Sequence, residues 1–364
     1  MTAVTTQEAR TGRLTVGPVD PFDEDLVRAW TDLTTQAMEN EIGDAAAMWT
    51  APEMLAAVQD PPKNRHELLF TGTVDGELVA TGWITLPQLD NLGHADIYVA
   101  VRPDRRRRGY GSEVLAYVER VCADHGRTVL TGLTDWPGDG PPDGAGTPGV
   151  EFGRVHGFAF GLGDVQRELP LPADEERLRA LAAEATPHHA DYELRSWTGP
   201  VPDDLVLTYL ELSSTLATEA PTGDLERAND KVDVEAHRSA ERVLAEQRRT
   251  PWHTVALDRA GRVVAYSDLV VPGTDRRWVF QWGTLVDRAH RGHRLGVAVK
   301  VANLLALQAG APQEVAGRRV VTWNAEVNDH MIAINELMGF VPTARSGTLQ
   351  KKLPDRSTRP ISAS

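Results

Sequence analysis

The sequence is short of several things, and each shortage narrows what it can be. It has one cysteine, Cys122, in 364 residues. One cysteine excludes an intrachain disulfide and any multi-cysteine metal site, and it makes a cytoplasmic location the default expectation. No apolar run approaches the roughly 18 residues of a membrane-spanning helix, so no membrane partner is expected. Residues 1–13 are polar and lack the apolar centre of a secretory signal. Positive charge is in deficit: the formal net charge is −14. Such a chain is ill suited to neutralising phosphates in bulk, which argues against nucleic acid as a partner and is compatible with a cationic small substrate. Lysine occurs at only five positions, 63, 231, 300, 351 and 352, and the other 33 basic residues are arginine. What remains is an ordinary globular composition, 41% hydrophobic and 25% charged, long enough for two domains.

The chain reads as one unit used twice. Arg106-Arg107-Arg108-Gly109-Tyr110-Gly111 is answered by Arg291-Gly292-His293-Arg294-Leu295-Gly296, and Gly111 and Gly296 lie 185 positions apart. Gly76 and Gly261, each in a turn between apolar runs, are again 185 apart, and Gly157-Phe158 and Gly339-Phe340 are 182 apart. In the first copy, residues 68–73 and 78–86 read as a hairpin, 94–101 as an alternating strand, the stretch through 123 as a helix, and 128–133 as a strand. The second copy repeats the order at 253–257, 263–271, 278–286, a helix from Val297 to Leu305, a strand at 320–323 and a helix at 331–337. Between the copies, 173–185 reads as a charged helix, broken by Pro187-His188-His189, and 192–197 as the strand that begins the second copy. The histidine pair has no third ligand nearby and reads as linker. Residues 137–148, rich in Gly and Pro, read as a loop or lid.

At the centre of each copy a strand ends, the chain turns through glycine and arginine, and a helix begins. The first turn of a helix leaves N–H groups unpaired, and these attract an anion, phosphate above all. Small residues let the phosphate approach, and arginine side chains can pair with its oxygens. The loop is not a Walker loop, for no GxxxxGK is present. Nor is it a dinucleotide fingerprint, because Gly109-Tyr110-Gly111 is followed by Val114 rather than glycine.

Val101-Arg102-Pro103 followed by Arg106-x-x-Gly109-x-Gly111 resembles the Arg/Gln-x-x-Gly-x-Gly/Ala motif of the GNAT acyltransferases. The second loop resembles it too, with Arg294 where the first glycine usually stands. The family's later pattern, Asn-x-x-Ala-x-x-x-Tyr-x-x-x-Gly-Phe, is matched at Asn328, Gly339 and Phe340. The resemblance covers both halves and is of the tandem, two-domain actinobacterial type. It implies an α+β fold of two domains, each a mixed, mostly antiparallel sheet flanked by helices. Their expected limits are 1–172 and 191–364, joined by a linker helix over 173–190. It also implies an acetyl-CoA-dependent N-acyltransferase, using acetyl-CoA or another short acyl-CoA and passing the acyl group directly to a small-molecule amine. The repeat would act as a pseudo-dimer within one chain or form a homodimer.

By that resemblance the cofactor is held by Arg106, Arg107, Arg108, Gly109, Tyr110, Gly111 and Ser112 in the first copy. In the second it is held by Arg291, Gly292, His293, Arg294, Leu295 and Gly296. Backbone donors at Val99 and Val101, and at Leu285 and Val286, would meet the thioester carbonyl. Because Arg294 carries a β-carbon, the second loop is expected to use a right-handed backbone there. The attacking amine must lose a proton, and the candidate bases are Asp96 and His94 on the first loop strand and Glu326 in the second copy. Asn324 and Asn328 are expected to cap the last helix or bind the cofactor arm. The family's tyrosine acid would fall at Asn335 and, in the first copy, at Gly153, and neither can protonate a thiolate. This motivates the alternative of a non-catalytic acyl-CoA-binding scaffold. Trp278, Trp282 and Trp323 fall on strands, where core packing is the expected role, and Cys122 reads as a buried apolar residue.

Overall fold

The computed structural model describes residues 12–354, so most of the polar stretch at 1–13 lies outside the described residues. The first copy begins with β1 (Thr15–Pro18), α1 (Glu24–Ile42) and α2 (Ala51–Gln59). It continues through β2 (Arg65–Val74), β3 (Glu77–Pro87), β4 (His94–Val101), α3 (Tyr110–Asp124), β5 (Val129–Pro137), α4 (Pro148–Val155) and β6 (Ala159–Pro170). The linker helix is α5 (Glu175–Ala185). The second copy opens with β7 (Glu193–Thr198), α6 (Val206–Ser213), α7 (Leu216–Glu219) and α8 (Val234–Glu246). Then come β8 (Arg249–Leu257), β9 (Val263–Pro272), β10 (Trp278–Val286), α9 (Leu295–Gly310), α10 (Pro312–Val315), β11 (Arg319–Ala325), α11 (Asp329–Met338) and β12 (Val341–Lys352). The strand–loop–helix at the centre of each copy stands where its sequence pattern predicts. The helices before it, α1 and α2 in one copy and α6 to α8 in the other, are additional.

The two sheets are not separate. All twelve strands form one sheet in the order β1-β2-β3-β4-β5-β12-β6-β11-β10-β9-β8-β7. Among the described residues the pairings are antiparallel except β4 with β5 and β10 with β11. The last strand of each copy has crossed to the other. β12 pairs with β5 of the first copy, from Ala344↔Pro137 to Lys352↔Val129, and β6 pairs with β11 of the second, from Arg319↔Pro170 to Ala325↔Asp164. The two exchanged strands then pair with each other at the centre.

The cores follow the exchange. Leu349 of β12 is buried among Val114, Val118, Leu130 and Phe158 of the first copy. Leu169 of β6 is buried with Val301, Leu304, Val320 and Ile334 of the second. Burying a leucine side chain contributes about 1.5–3 kcal/mol, so each copy is held in part by residues the other lends it. α1 covers the opposite face of the first sheet. Its inward positions Val27, Trp30, Thr34 and Ala37 recur at helical spacing, and Trp30 Nε1 donates to the carbonyl of Phe70 at 3.0 Å.

Candidate functional site

In both copies the parallel strands pair briefly and then part. β4 and β5 are in register from His94↔Val129 to Ile97↔Gly132, and β10 and β11 only from Trp278↔Arg319 to Phe280↔Val321. Beyond those points the backbone edges face an opening, with Val99 and Val101 on one loop strand and Leu285 and Val286 on the other. In β10 the opening coincides with an irregularity between Gln281 and Thr284.

The loops that follow share one backbone. Left-handed φ occurs at Arg107 (63°) and Gly109 (87°) in the first, and at Gly292 (85°) and Arg294 (56°) in the second. The two left-handed positions match at the 185-residue offset, and glycine and arginine have traded places between them. The right-handed backbone expected at Arg294 is therefore not found. The turn into α9 demands the same φ as the turn into α3, and Arg294 adopts it at a cost of about 1 kcal/mol. A β-carbon built on Gly109 or on Gly292 meets nothing within 4 Å, so open space lies over both loops.

α1, α5, α8 and α11 are each capped by an Asp or Asn side chain; α4 and α6 lack a side-chain cap, and so do α3 and α9, which alone among the described helices start from a left-handed residue. Their first backbone N–H groups are left to an external acceptor, as a pyrophosphate cradle requires. The loops fit the phosphates of an acyl-CoA on this ground.

The first arginine of each loop does not face that space. Arg106 turns back, with Nε donating to the carbonyl of Val101 at 3.2 Å and its guanidinium on Glu41 of α1. Arg291 does the same, with Nε on the carbonyl of Val286 at 3.4 Å and NH2 on Glu219 of α7 at 2.9 Å. Both are fasteners between loop, strand and helix, and the phosphate-pairing role drawn for them from sequence does not match these contacts. Arg107 is exposed and Arg108 and Ser112 are half-buried. Ser112 Oγ is 3.0 Å from His156 Nε2. Tyr110 and Leu295 are core residues. Gly111 packs against Phe152, and Gly296 against Ile334. His293 Nδ1 donates to the carbonyl of His188 at 3.2 Å, and Arg294 pairs with Glu184 at 2.6 Å. The linker thus closes against the second loop.

A cleft of about 390 Å³ lies at the second parting. Gln281 to Thr284 of β10 form one wall, Thr322 to Ala325 of β11 the other, and Lys300, Asn328 and Met331 its inner end. Residues of the 213–230 segment and of the exchanged strands β6 and β12 complete it, bringing Asp164, Arg227, Asp230 and Thr348. Desolvation raises the carboxyls of Asp164 and Asp230 above their ordinary range, opposed in both cases by Arg227. The tryptophans divide. Trp278 is fully buried, but Trp282 and Trp323 are 43% and 36% exposed and line the cleft. The core role expected for those two does not hold, because β10 and β11 have already parted where they stand. Cys122 is buried as expected, and desolvation pushes its thiol up to about 12.

The proposed bases are scattered. Glu326 is engaged by Arg345 and is not among the residues of the cleft wall. His94 is half-buried at the start of β4, with Nε2 4.0 Å from Glu226. Asp96 is exposed on the same strand, and the protein crowded around its carboxyl raises it, with Arg227 opposing. Asn328 caps α11, accepting from the N–H of Met331 at 3.2 Å. Asn324 lines the cleft and accepts from Asn335 Nδ2 at 2.5 Å.

Sequence reasoning passed over three groups. Lys300, inside α9, is buried; its signal was a lysine within an apolar helical run. Asp135 on β5 lies at the first parting near Glu41, and burial pushes its carboxyl up to about 7. Arg227 stands near three carboxylates, Asp96 and Asp164 of the first copy and Asp230 of the second, but sits in a segment with no periodic pattern to place it.

Residues 29–135 match the model of the acetyltransferase (GNAT) family. Among solved structures, the chain is similar to a tandem GNAT protein from the clavulanic acid biosynthesis pathway, determined without AcCoA. Identity is 26%, the match covers 93% of this chain and 98% of that one, and the TM-score is 0.74. A GCN5-related N-acetyltransferase from Sphaerobacter thermophilus shares the fold at 14% identity, covering 93% and 95% of the two chains with a TM-score of 0.58. No curated protein matches the sequence.

Proposed function

We propose that this chain, a tandem GNAT-type protein, is an acetyl-CoA-dependent N-acyltransferase whose second copy carries the reaction on a small-molecule amine. The observation that supports this most is the cleft at the parting of β10 and β11, directly before a loop whose helix start is left uncapped. Acetyl-CoA, or another short acyl-CoA, supplies the activated acyl group. The α9 N-terminus and the open face over Gly292 would take its phosphates. The unpaired edge of β10 near Leu285 and Val286 would take the thioester carbonyl. The acceptor would enter from the side of Asp164, Arg227 and Asp230, where two carboxylates favour an ammonium-bearing molecule and Trp282 and Trp323 supply apolar wall. Transfer is read as direct, since the cleft wall holds neither cysteine nor histidine and so offers no Cys–His or Ser–His pair to carry the acyl group.

Calorimetric titration with acetyl-CoA tests this on the unaltered chain and on Gly109→Trp and Gly292→Trp. Both sites are open, so the indole projects into the space over the loop; each also holds a left-handed φ, which tryptophan adopts at a cost of about 1–2 kcal/mol, so folding of both variants is checked by circular dichroism. Gly296 is a poorer choice because its β-carbon would come within 3.3 Å of Ile334. Loss of binding in Gly292→Trp is the expected result. An unaltered chain that binds neither acetyl-CoA nor a longer acyl-CoA would refute the reading.

A further inference from the structure

Lys300 occupies on α9 the position that Leu115 holds on α3, 185 residues earlier. Leu115 belongs to the apolar core of the first copy, so the helix does not need a charge there to pack. Lys300 is only 1% exposed, and among the described residues no carboxylate pairs with it. Its Nζ donates to Oδ1 of Asn335 at 2.6 Å, and Asn335 is itself fixed by its bond to Asn324. Met331 Sδ lies 3.9 Å from Nζ, and the Phe340 ring centroid 5.3 Å. The partners offered by α11, by Phe340 two residues beyond it and by β11 are thus all neutral. Lys300, Met331 and Asn324 all belong to the wall of the cleft. An uncompensated buried lysine works against folding, so its presence at the inner end of a cleft asks for a chemical reason. The one side chain that meets Asn335 with a proton to give is this lysine.

We infer that Lys300 delivers a proton to the departing CoA sulfur in the second-copy cleft. The inference rests on the acyl-transfer reading above. The amine nitrogen bonds to the thioester carbon; as the tetrahedral adduct collapses, the C–S bond breaks and its electron pair leaves with sulfur. The Lys300 ammonium gives that sulfur a proton, yielding the free thiol and a neutral lysine amine. The proton shed by the attacking nitrogen restores the ammonium through the open cleft. Acidity suits the step. Desolvation alone pushes Lys300 down to about 7, below an alkyl thiol at about 8.5, whereas an ordinary lysine at about 10.4 would donate uphill.

The test compares CoA with desulfo-CoA, which lacks the thiol, in calorimetric titrations of the full chain carrying Gly109→Trp, so that only the second site reports. At pH 8 amine and thiol share one proton, and their contact is expected to favour CoA by about tenfold, the effect of one hydrogen bond. Lys300→Met, and Lys300→Leu as a second replacement copied from the first half, are expected to bind the two ligands equally while keeping desulfo-CoA affinity. Removing a buried amine should leave the melting temperature no lower than before. The preference should also fade without any change at Lys300 as pH falls from about 8 to about 5.5, where lysine and thiol are both protonated. A replacement that retains the preference, or a Lys300 site with none at pH 8, overturns the inference while leaving cofactor binding and the acyl-transfer reading intact. If the unaltered chain binds no acyl-CoA at all, both fall together.

Discussion

At the scale of single residues, chemistry is concentrated where ionisable groups have been denied water. Asp135 is half-buried beneath α1, and burial, with the nearby Glu41 adding to it, pushes its carboxyl up to about 7. Unfolded, it would ionise near about 3.9. Between those values the folded chain holds a proton the unfolded chain gives up. The stability this contributes is therefore full below about pH 4 and lost as pH rises to about 7. Asp135→Asn should remove that dependence, so the urea midpoint of the variant should gain on the original between about pH 4.5 and about pH 7.5. A constant difference across that range would show that Asp135 is not the group responsible. Residues of this kind are the least legible in the sequence. Lys300 and Leu115 occupy equivalent positions, but nothing in the string says which of them meets a cleft. Arg294 shows the opposite limit: the sequence names the residue, and the turn decides its φ.

Among the elements, the strand–loop–helix units were legible because local rules write them. Alternation marks β4 and β10, glycine marks the turns, and helical spacing marks α3 and α9. The destination of β6 and β12 was not, because a last strand carries the same alternating pattern whichever neighbour it pairs with. The helices α1, α2 and α6 to α8 were also unread, although Val27, Trp30 and Ala37 repeat at helical spacing in α1. The exchange makes a direct prediction. Leu349 is 4% exposed, in a core whose other buried residues run from Leu14 to Phe158. Leu349→Ala should cost about 2–5 kcal/mol by denaturant titration. The loss should appear as loosening of the first copy, read by hydrogen exchange at Val114 and Leu130, rather than of the helices beside β11.

For the whole molecule, the duplication was plain in the spacing of Gly76, Gly111 and Gly157 against Gly261, Gly296 and Gly339. Its consequence for stability was not. A fragment of residues 1–190 would carry β6 without β11, leave the edge of β5 bare, and lack Leu349. A fragment of 191–364 would have the reciprocal defects. Each is expected to be poorly soluble and weakly ordered by circular dichroism when made alone, and to recover strand signal when the two are mixed. A well-folded monomer from either fragment would disprove that interdependence.

The crossing of β6 and β12 also bears on how such a chain can change over time. Suppose the first copy lost every chemical function. It would still supply Leu169, Asp164 and the strand that closes the second cleft, so no deletion could discard it without unmaking its neighbour. A half that has fallen silent as an enzyme is retained as a part, and its loop is free to drift, as the traded glycines and arginines of the two turns illustrate.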